Sequence, residues 1–334
     1  MRALTRKKFT AMEDAMRKTY GVQDNTKTFA VSEPMETKLN DAIQDSDQFL
    51  ERITMLPVTD KKGQAVTIGV RKPLAKRTNT NNKDRSPKVL DAPDGLEYEC
   101  KLTEFDIAFS YDLLDAWARF QDFMQRYMNQ VYRRIALDKI LIGWHGTSAA
   151  VETDPVTNEN LEDVNKGWIH ILKTHKSEHY LTESTADSGK ITLGASGDYK
   201  NLDSLVYDVL NMIPDAQRSG NEVAIVGRQQ VAMDMGKSLS QYAQQPTEKN
   251  LVMILEKSYG GLPSMVVPGF QDKGVVVTDP MNLSLYYQAG RTRRHLLDYP
   301  KRNQVQDYIS SNDAYMIENL DAIAGIEADN VEFS

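Results

Sequence analysis

The segment that most constrains the fold runs from Asp112 to Gly143, because no glycine or proline occurs between these two residues. Apolar residues recur along it at spacings of three and four, which is the period of one face of an α-helix. The segment therefore predicts a single helix over 112–143, ended by Gly143 and Gly146. At about 1.5 Å per residue such a helix is roughly 45 Å long. We expect it to act as a spine rather than to lie within a small core. The residues predicted to form its core face are Leu113, Trp117, Phe120, Met124 and Val131.

The size and composition of the chain are those of a globular protein. Its 334 residues are 40% hydrophobic and 26% charged, which suits about two domains with a large core. No stretch approaches the roughly 18 uncharged apolar residues of a membrane span, and the N-terminus lacks the apolar stretch of a secretory signal. We expect a soluble protein made in the cytoplasm, with no membrane partner. The single Cys100 excludes an intramolecular disulfide, and we expect it to be a small buried side chain without chemistry of its own.

Charge is distributed unevenly along the chain, although the formal net charge is only −7. Residues 1–29 contain seven basic and three acidic side chains, and residues 71–88 contain seven basic side chains and Asp84 as the only acid. The last 17 residues contain five acids and no base. Basic and acidic segments on one chain favour self-association as readily as binding to a foreign partner.

The segments before the spine predict two helices and an extended arm. Residues 3–19 form a predicted helix with a thin apolar stripe of Leu4, Phe9, Met12 and Met16, which we expect to be detachable without disturbing a core. A second helix is predicted over 36–53. Strands are predicted on both sides of the polar, basic stretch 71–97, so residues 55–104 form an extended two-stranded arm. An isolated hairpin is marginally stable in water, so we expect this arm to lie on another surface.

The segments after the spine predict an α/β unit. A helix is predicted over 202–213, and short apolar strands follow it up to about residue 300. Residues 301–334 are predicted to form long strands.

Three motifs suggest chemistry but fit it poorly. The strand EVAIVG at 222–227 ends in Gly227 without the further glycines of a dinucleotide or phosphate loop, so we interpret it as a core strand. HKSEH at 175–179 matches an inverted zinc-peptidase pattern, which leaves a zinc-dependent hydrolase using His175, Glu178 and His179 as one alternative. The basic stretch 71–88 leaves a nucleic-acid-binding protein as another, although it lacks the interleaved aromatic residues of single-strand binders.

Seven segments, in order along the chain, resemble the major capsid protein family of temperate contractile-tailed phages of the peduovirus type. They are YECKLTEFDIAFSYDLLDAWARFQDF (98–123), ALDKILIGWHG (136–146), GDYKNLDSLV (197–206), VAIVGRQQVA (223–232), GGLPSMVVPGF (260–270), NLSLYYQAGRTRRH (282–295) and DYISSNDAYMIENLDAIAG (307–325). The resemblance as a whole covers most of the chain, from about residue 30 to residue 327. The histidines of HKSEH are not part of the family pattern.

The resemblance implies an α+β tailed-phage major capsid protein fold. The implied regions are a removable scaffold-like segment (1–30), an N-terminal arm (31–54), an extended β-hairpin loop (55–104), a peripheral domain with the spine helix (105–196), an axial α/β domain (197–300) and a return to the peripheral domain (301–334).

The resemblance also implies a structural role without catalytic residues, metals or cofactors. Copies of the chain would assemble into hexamers and pentamers of an icosahedral shell around double-stranded DNA. Other expected partners are a scaffolding or maturation protease and a portal, with assembly in the host cytoplasm and the virion capsid as final location. Removal of the N-terminal segment is expected near Thr28, Phe29, Ala30 and Val31. The tip of the arm is expected to contact a neighbouring copy through Arg71, Lys72, Lys76, Arg77, Lys83 and Arg85.

Overall fold

The computed structural model describes residues 1–65, 75, 77–79, 84–85, 96–194, 196–234 and 253–333. Its helices are α1 (Ala3–Tyr20), α2 (Glu33–Gln44), α3 (Tyr111–Trp117), α4 (Phe123–His145), α5 (Trp168–His175), α6 (Leu202–Asn211) and α7 (Arg228–Asp234). Its strands before α6 are β1 (Phe29–Ala30), β2 (Thr54–Val58), β3 (Lys62–Ala65), β4 (Leu96–Glu99), β5 (Lys101–Ser110), β6 (Tyr180–Leu181) and β7 (Ile191–Leu193). The later strands are β8 (Val223–Val226), β9 (Met253–Tyr259), β10 (Leu262–Val266), β11 (Val275–Thr278), β12 (Leu283–Gln288), β13 (Arg293–Tyr299), β14 (Gln304–Ile317), β15 (Ile323–Ile326) and β16 (Val331–Phe333).

The first of two large sheets is organised around the 14-residue strand β14. Its strands follow the order β1-β13-β14-β12-β2, and β5 pairs with β14 outside this path. Along β14, buried residues alternate with partly exposed ones from Gln304 to Asp313, after which every residue is buried. The inward positions of the alternating part are Val305, Asp307, Ile309, Ser311 and Asp313, so two carboxylates enter the core.

The second large sheet has the order β6-β15-β11-β8-β10-β9. Strands β8 and β11 are buried at every position, and α6 contacts β11 and β15 through its apolar face. The predicted core strand EVAIVG is confirmed as β8. Gly227 follows it because a Cβ there would lie 2.1 Å from the carbonyl oxygen of Asp272, so the glycine permits close backbone packing rather than phosphate binding.

The two sheets divide the chain differently from the predicted boundary at residue 300. Strands β12 and β13, predicted within the axial unit, lie in the first sheet, whereas β15, predicted within the peripheral unit, lies in the second. The reason is local. β13 and β14 form a hairpin whose turn contains Asn303 in the left-handed region, at φ 52°, so β13 must share a sheet with β14.

The predicted single spine helix is broken. Helix α3 ends at Trp117 and α4 begins at Phe123, although no glycine or proline intervenes. The carbonyl of Phe120 lies outside the helical ladder and accepts a hydrogen bond from Lys8 Nζ, while the Arg126 guanidinium lies 4.1 Å from the centre of the Phe120 ring. These contacts stabilise the turn over 118–122.

The break also changes which face of the spine is buried. Phe123, Tyr127, Val131 and Ile135 are buried along α4 at a spacing of four. The predicted core face is wrong at three positions, because the side chains of Leu113, Phe120 and Met124 are 40%, 46% and 37% exposed. Trp117 is half-buried against Phe109. Two apolar stripes run along this segment at helical spacing, and packing against the first sheet selects one of them.

The remaining predicted elements agree more closely with the structure. Helix α6 matches the prediction over 202–213, and β3 pairs with β4 where the base of the predicted two-stranded arm was expected. The helix predicted over 36–53 is instead α2, followed by a short 3-10 turn at Leu50–Arg52.

Within the part of the chain that the structure describes, no helix is both long and apolar enough to cross a bilayer.

Candidate assembly site

The base of the arm is fixed to the first sheet. Glu99 on β4 accepts from Lys62 Nζ at 3.1 Å and from Lys101 Nζ at 2.9 Å, and hydrogen bonds from Lys101 and Lys62 hold the pKa of its carboxyl below the usual range. The ring of Tyr98 packs edge-on against Tyr286, with 5.2 Å between centroids. The described base of the predicted arm is therefore anchored to the first sheet.

The six residues predicted for the tip of this arm are only partly covered by the structure. Arg77 and Arg85 are exposed. The predictions for Arg71, Lys72, Lys76 and Lys83 lie outside the described residues.

An acidic loop on the same molecule carries the opposite charge. Residues 151–163 contain five carboxylates and no basic side chain. The loop is ordered by its own hydrogen bonds, since Asp163 Oδ2 accepts from Asp154 N at 2.7 Å. Glu152 and Glu159 project into solvent. The loop therefore presents negative charge to solvent.

The N-terminal segment, defined here as residues 1–28, packs on the core. Phe9, Met12 and Met16 of α1 are at most 2% exposed, whereas Leu4 is 54% exposed. The expectation that this helix could be lost without touching a core is therefore wrong. Three of the four predicted apolar positions are buried. The small number of apolar residues in the sequence gave no indication that the rest of the fold covers them completely.

The predicted cleavage region forms the junction between this segment and the first sheet. Thr28 and Ala30 are exposed, Phe29 is half-buried, and Val31 is buried. Phe29 and Ala30 form β1 at the edge of the sheet, and Val31 N donates to the Thr292 carbonyl at 2.9 Å. An extended backbone at a sheet edge presents main-chain groups that a protease can bind.

The N-terminal arm, residues 31–54, follows this junction and is attached to the first sheet independently of α1. Glu36 of α2 is 1% exposed, and its carboxylate accepts from Gly290 N at 2.6 Å and from Thr292 N at 2.9 Å. The turn between β12 and β13 thus binds α2 directly. Sequence reasoning missed Glu36, which has no pattern that distinguishes it from an exposed helical glutamate.

Two buried ion pairs fasten β14 to its neighbours. Arg294 and Asp307 are both 0% exposed, and the guanidinium binds the carboxylate through Nε at 3.0 Å and Nη2 at 2.6 Å. Tyr127 also donates to Asp307, at 3.2 Å. Lys139 of α4 pairs with Asp313. Sequence reasoning missed these pairs, although the period-two alternation of β14 already placed Asp307 and Asp313 on one face with Val305.

The HKSEH histidines do not form a metal site. His175 ends α5 and is exposed, whereas His179 lies in the next 3-10 turn, where its Nδ1 is 2.9 Å from the Ile323 carbonyl. Glu178 pairs with Lys176 at 2.9 Å. Across the described ranges, no three histidine, cysteine or acidic side chains are grouped so that they could hold a metal ion.

Comparison with known proteins gives matches along nearly the whole chain. The family model described as phage major capsid protein, P2 family, matches residues 8–328. "Capsid proteins" of Escherichia phage P2 are 34% identical over 334 residues, covering 96% of this chain and 93% of the relative. The "Major capsid protein" of Serratia phage KSP20 is 30% identical, covering 90% of this chain and 88% of the relative.

Solved structures agree with these matches. A chain of the "Satellite phage P4 procapsid including size determination (Sid) protein" is 30% identical, with a TM-score of 0.76 and coverage of 100% of this chain and 99% of that one. A capsid chain of a native GTA particle, at 12% identity, has a TM-score of 0.50 over 84% of this chain and 89% of that chain, which concerns the fold alone.

Proposed function

Because the chain belongs to the P2 family of phage major capsid proteins, we propose that its copies form hexamers and pentamers of an icosahedral shell that encloses double-stranded DNA. The protein is a structural component of the virion capsid and not an enzyme. The observation that carries the proposal is the full-length structural similarity to a P4 procapsid subunit, at a TM-score of 0.76. The zinc-hydrolase and nucleic-acid-binding alternatives have no support.

Assembly takes place in the host cytoplasm in this proposal, where the shell also meets a portal and a maturation protease. The protease removes residues up to about Phe29. The exposure of Thr28 and Ala30 and the position of β1 at the edge of the sheet support access by such an enzyme. Removal also takes basic charge out of the particle, because residues 1–29 contain seven bases and three acids.

The arm supplies the contact between neighbouring subunits. Its basic tip, residues 71–88, lies against the acidic loop 151–163 of an adjacent copy. The support is complementary charge at two surfaces of one chain, with Arg77 and Arg85 exposed on the first and Glu152 and Glu159 on the second. Each exposed ion pair contributes typically under about 1 kcal/mol, so the contact becomes strong only through repetition over a closed lattice.

Charge reversal tests this contact. We expect a variant with Arg71, Lys72, Lys76 and Arg77 all changed to Glu to fold normally but to give far fewer particles. A matched control changes Lys38, Lys200, Lys301 and Arg302 to Glu, four exposed bases elsewhere on the surface, and keeps the same net charge. Particle yield by electron microscopy and thermal midpoint by calorimetry are the measurements.

A second set of variants identifies the acceptor. Adding Glu152→Lys and Glu159→Lys to the reversed arm is expected to restore part of the particle yield. Normal yield from the reversed arm alone would contradict the arm contact. Loss of yield without any recovery would keep the arm contact and reject the 151–163 loop as its acceptor.

A further inference from the structure

The N-terminal segment contributes apolar side chains to the main core. Phe9, Met12 and Met16 are 0%, 1% and 2% exposed, and they belong to the same buried cluster as Tyr127 and Val131 of α4. Fully buried side chains of this size are normally part of the minimal folded unit, because their loss leaves a cavity. An appendage that served assembly alone would not need them.

Polar contacts of α1 reach two parts of the spine region and one strand of the first sheet. Thr5 donates to Asp115 of α3 at 2.5 Å, and Arg6 pairs with Asp298 of β13 at 2.5 Å. Lys8 donates to the Phe120 carbonyl in the turn between α3 and α4. Helix α1 therefore bridges α3, β13 and the break in the spine.

The rest of the segment covers one edge of β13. Leu296 N donates to the Asn25 carbonyl at 3.1 Å, and His295 Nε2 is 2.8 Å from the Thr26 carbonyl. Arg294, which is fully buried, donates to the Tyr20 hydroxyl at 2.9 Å. Loss of the segment would leave the Leu296 N–H without its acceptor and would remove the Tyr20 hydroxyl from a buried guanidinium.

We propose that the N-terminal segment is an intramolecular folding element. It completes the core of the single subunit, so the chain must fold with the segment attached. The timing that follows rests on the proposed removal of the segment: cleavage has to come after assembly, when contacts with neighbouring copies replace the stability that the segment supplied. The folding role itself does not depend on cleavage.

Two substitutions on the same helix test the folding role in the full chain. Phe9→Ala is expected to lower the thermal midpoint by about 5 °C or more, because it empties a fully buried position. Leu4→Ala, at a 54% exposed position of α1, is expected to leave the midpoint within about 1 °C. Met16→Ala keeps the comparison measurable if Phe9→Ala gives no soluble protein. Equal midpoints for all variants and the unmodified chain would overturn the proposal.

A controlled cut tests the segment as a unit. A recognition sequence for a specific protease is placed between Lys27 and Thr28, which are both exposed. Before cutting, tethering keeps the segment at an effective concentration on the order of millimolar, so cut and diluted subunits are expected to lose it. They should then melt well below the uncut subunits, and added peptide 1–27 should restore the midpoint. Particles cut after assembly should remain intact.

The outcomes separate this proposal from the proposed cleavage. Cut subunits that release the segment and still melt like uncut ones would overturn the folding role, whatever happens in phage particles. Intact residues 1–28 in virions, measured by mass spectrometry, would reject cleavage. That result would not affect the proposed folding role, provided that Phe9→Ala lowers the thermal midpoint.

Discussion

At the scale of single residues, the alternating burial along β14 places charged side chains inside the core. Its alternation sends Asp307 and Asp313 inward with Val305, so each carboxylate needs a buried cation. Arg294 comes from the adjacent strand β13, and Lys139 comes from α4 across the sheet. The sequence could predict the inward carboxylates from their period. It could not predict the partners, because pairing depends on register and on how α4 crosses the sheet.

The Lys139–Asp313 pair gives a prediction about stability. Lys139→Met leaves a buried carboxylate without its cation, so we expect the free energy of unfolding to fall by about 3–5 kcal/mol. The double variant Lys139→Met, Asp313→Leu removes both charges and is expected to recover most of the loss. Urea unfolding of the three proteins measures both effects. A single variant as stable as the unmodified protein would show that the pair is not desolvated.

The only cysteine gives a second prediction at this scale. Cys100 is fully buried beside the arm base, and burial raises the pKa of its thiol to about 12. Because the thiolate is the reactive form, we expect almost no reaction with a thiol reagent at pH 8 in the folded protein and full reaction after denaturation. Rapid labelling of folded protein would mean that the arm base opens in solution.

At the scale of elements, the apolar period of the spine predicts helix correctly but does not predict where the helix is interrupted. The apolar period continues from Leu113 to Ile135 through a turn that interrupts the helix, and no glycine or proline marks that turn. Tertiary contacts from α1 fix the break, and packing on the first sheet selects the stripe through Tyr127. Helix α6 was predictable because its single apolar face matches the face that the second sheet covers.

The exposed apolar residues of the spine segment lead to a prediction about assembly. Leu113 of α3 and Met124 of α4 remain exposed in the subunit, so we expect a second copy to cover them. We expect Leu113→Ser with Met124→Ser to change the free energy of unfolding by about 0.5 kcal/mol or less while lowering particle yield.

A control substitution distinguishes this stripe from the core. Ile135→Ala, at a position only 1% exposed, is expected to cost about 2–5 kcal/mol in the isolated subunit. Urea unfolding and particle counts on the same preparations separate the two effects. A double serine variant that assembles normally would remove this stripe from the set of subunit contacts.

At the scale of the whole molecule, the α+β capsid fold was predictable because ordered segments resembled a family along most of the chain. The boundary between its two sheets was not, since β12 and β13 pair with β14 rather than with the strands before them. The burial of the apolar face of α1 was also not predictable, because the sequence of a helix does not show how much of its surface other elements cover. Both failures concern contacts between elements distant in the chain.

The central claim is that identical copies complete this molecule, and the most direct test is its state of association. Sedimentation of the purified full chain over a wide concentration range, with electron microscopy of the same samples, makes the measurement. We predict capsomers, tubes or closed shells that become dominant as concentration rises. A folded chain that remained monomeric at every concentration, with its arm ordered in isolation, would contradict the account.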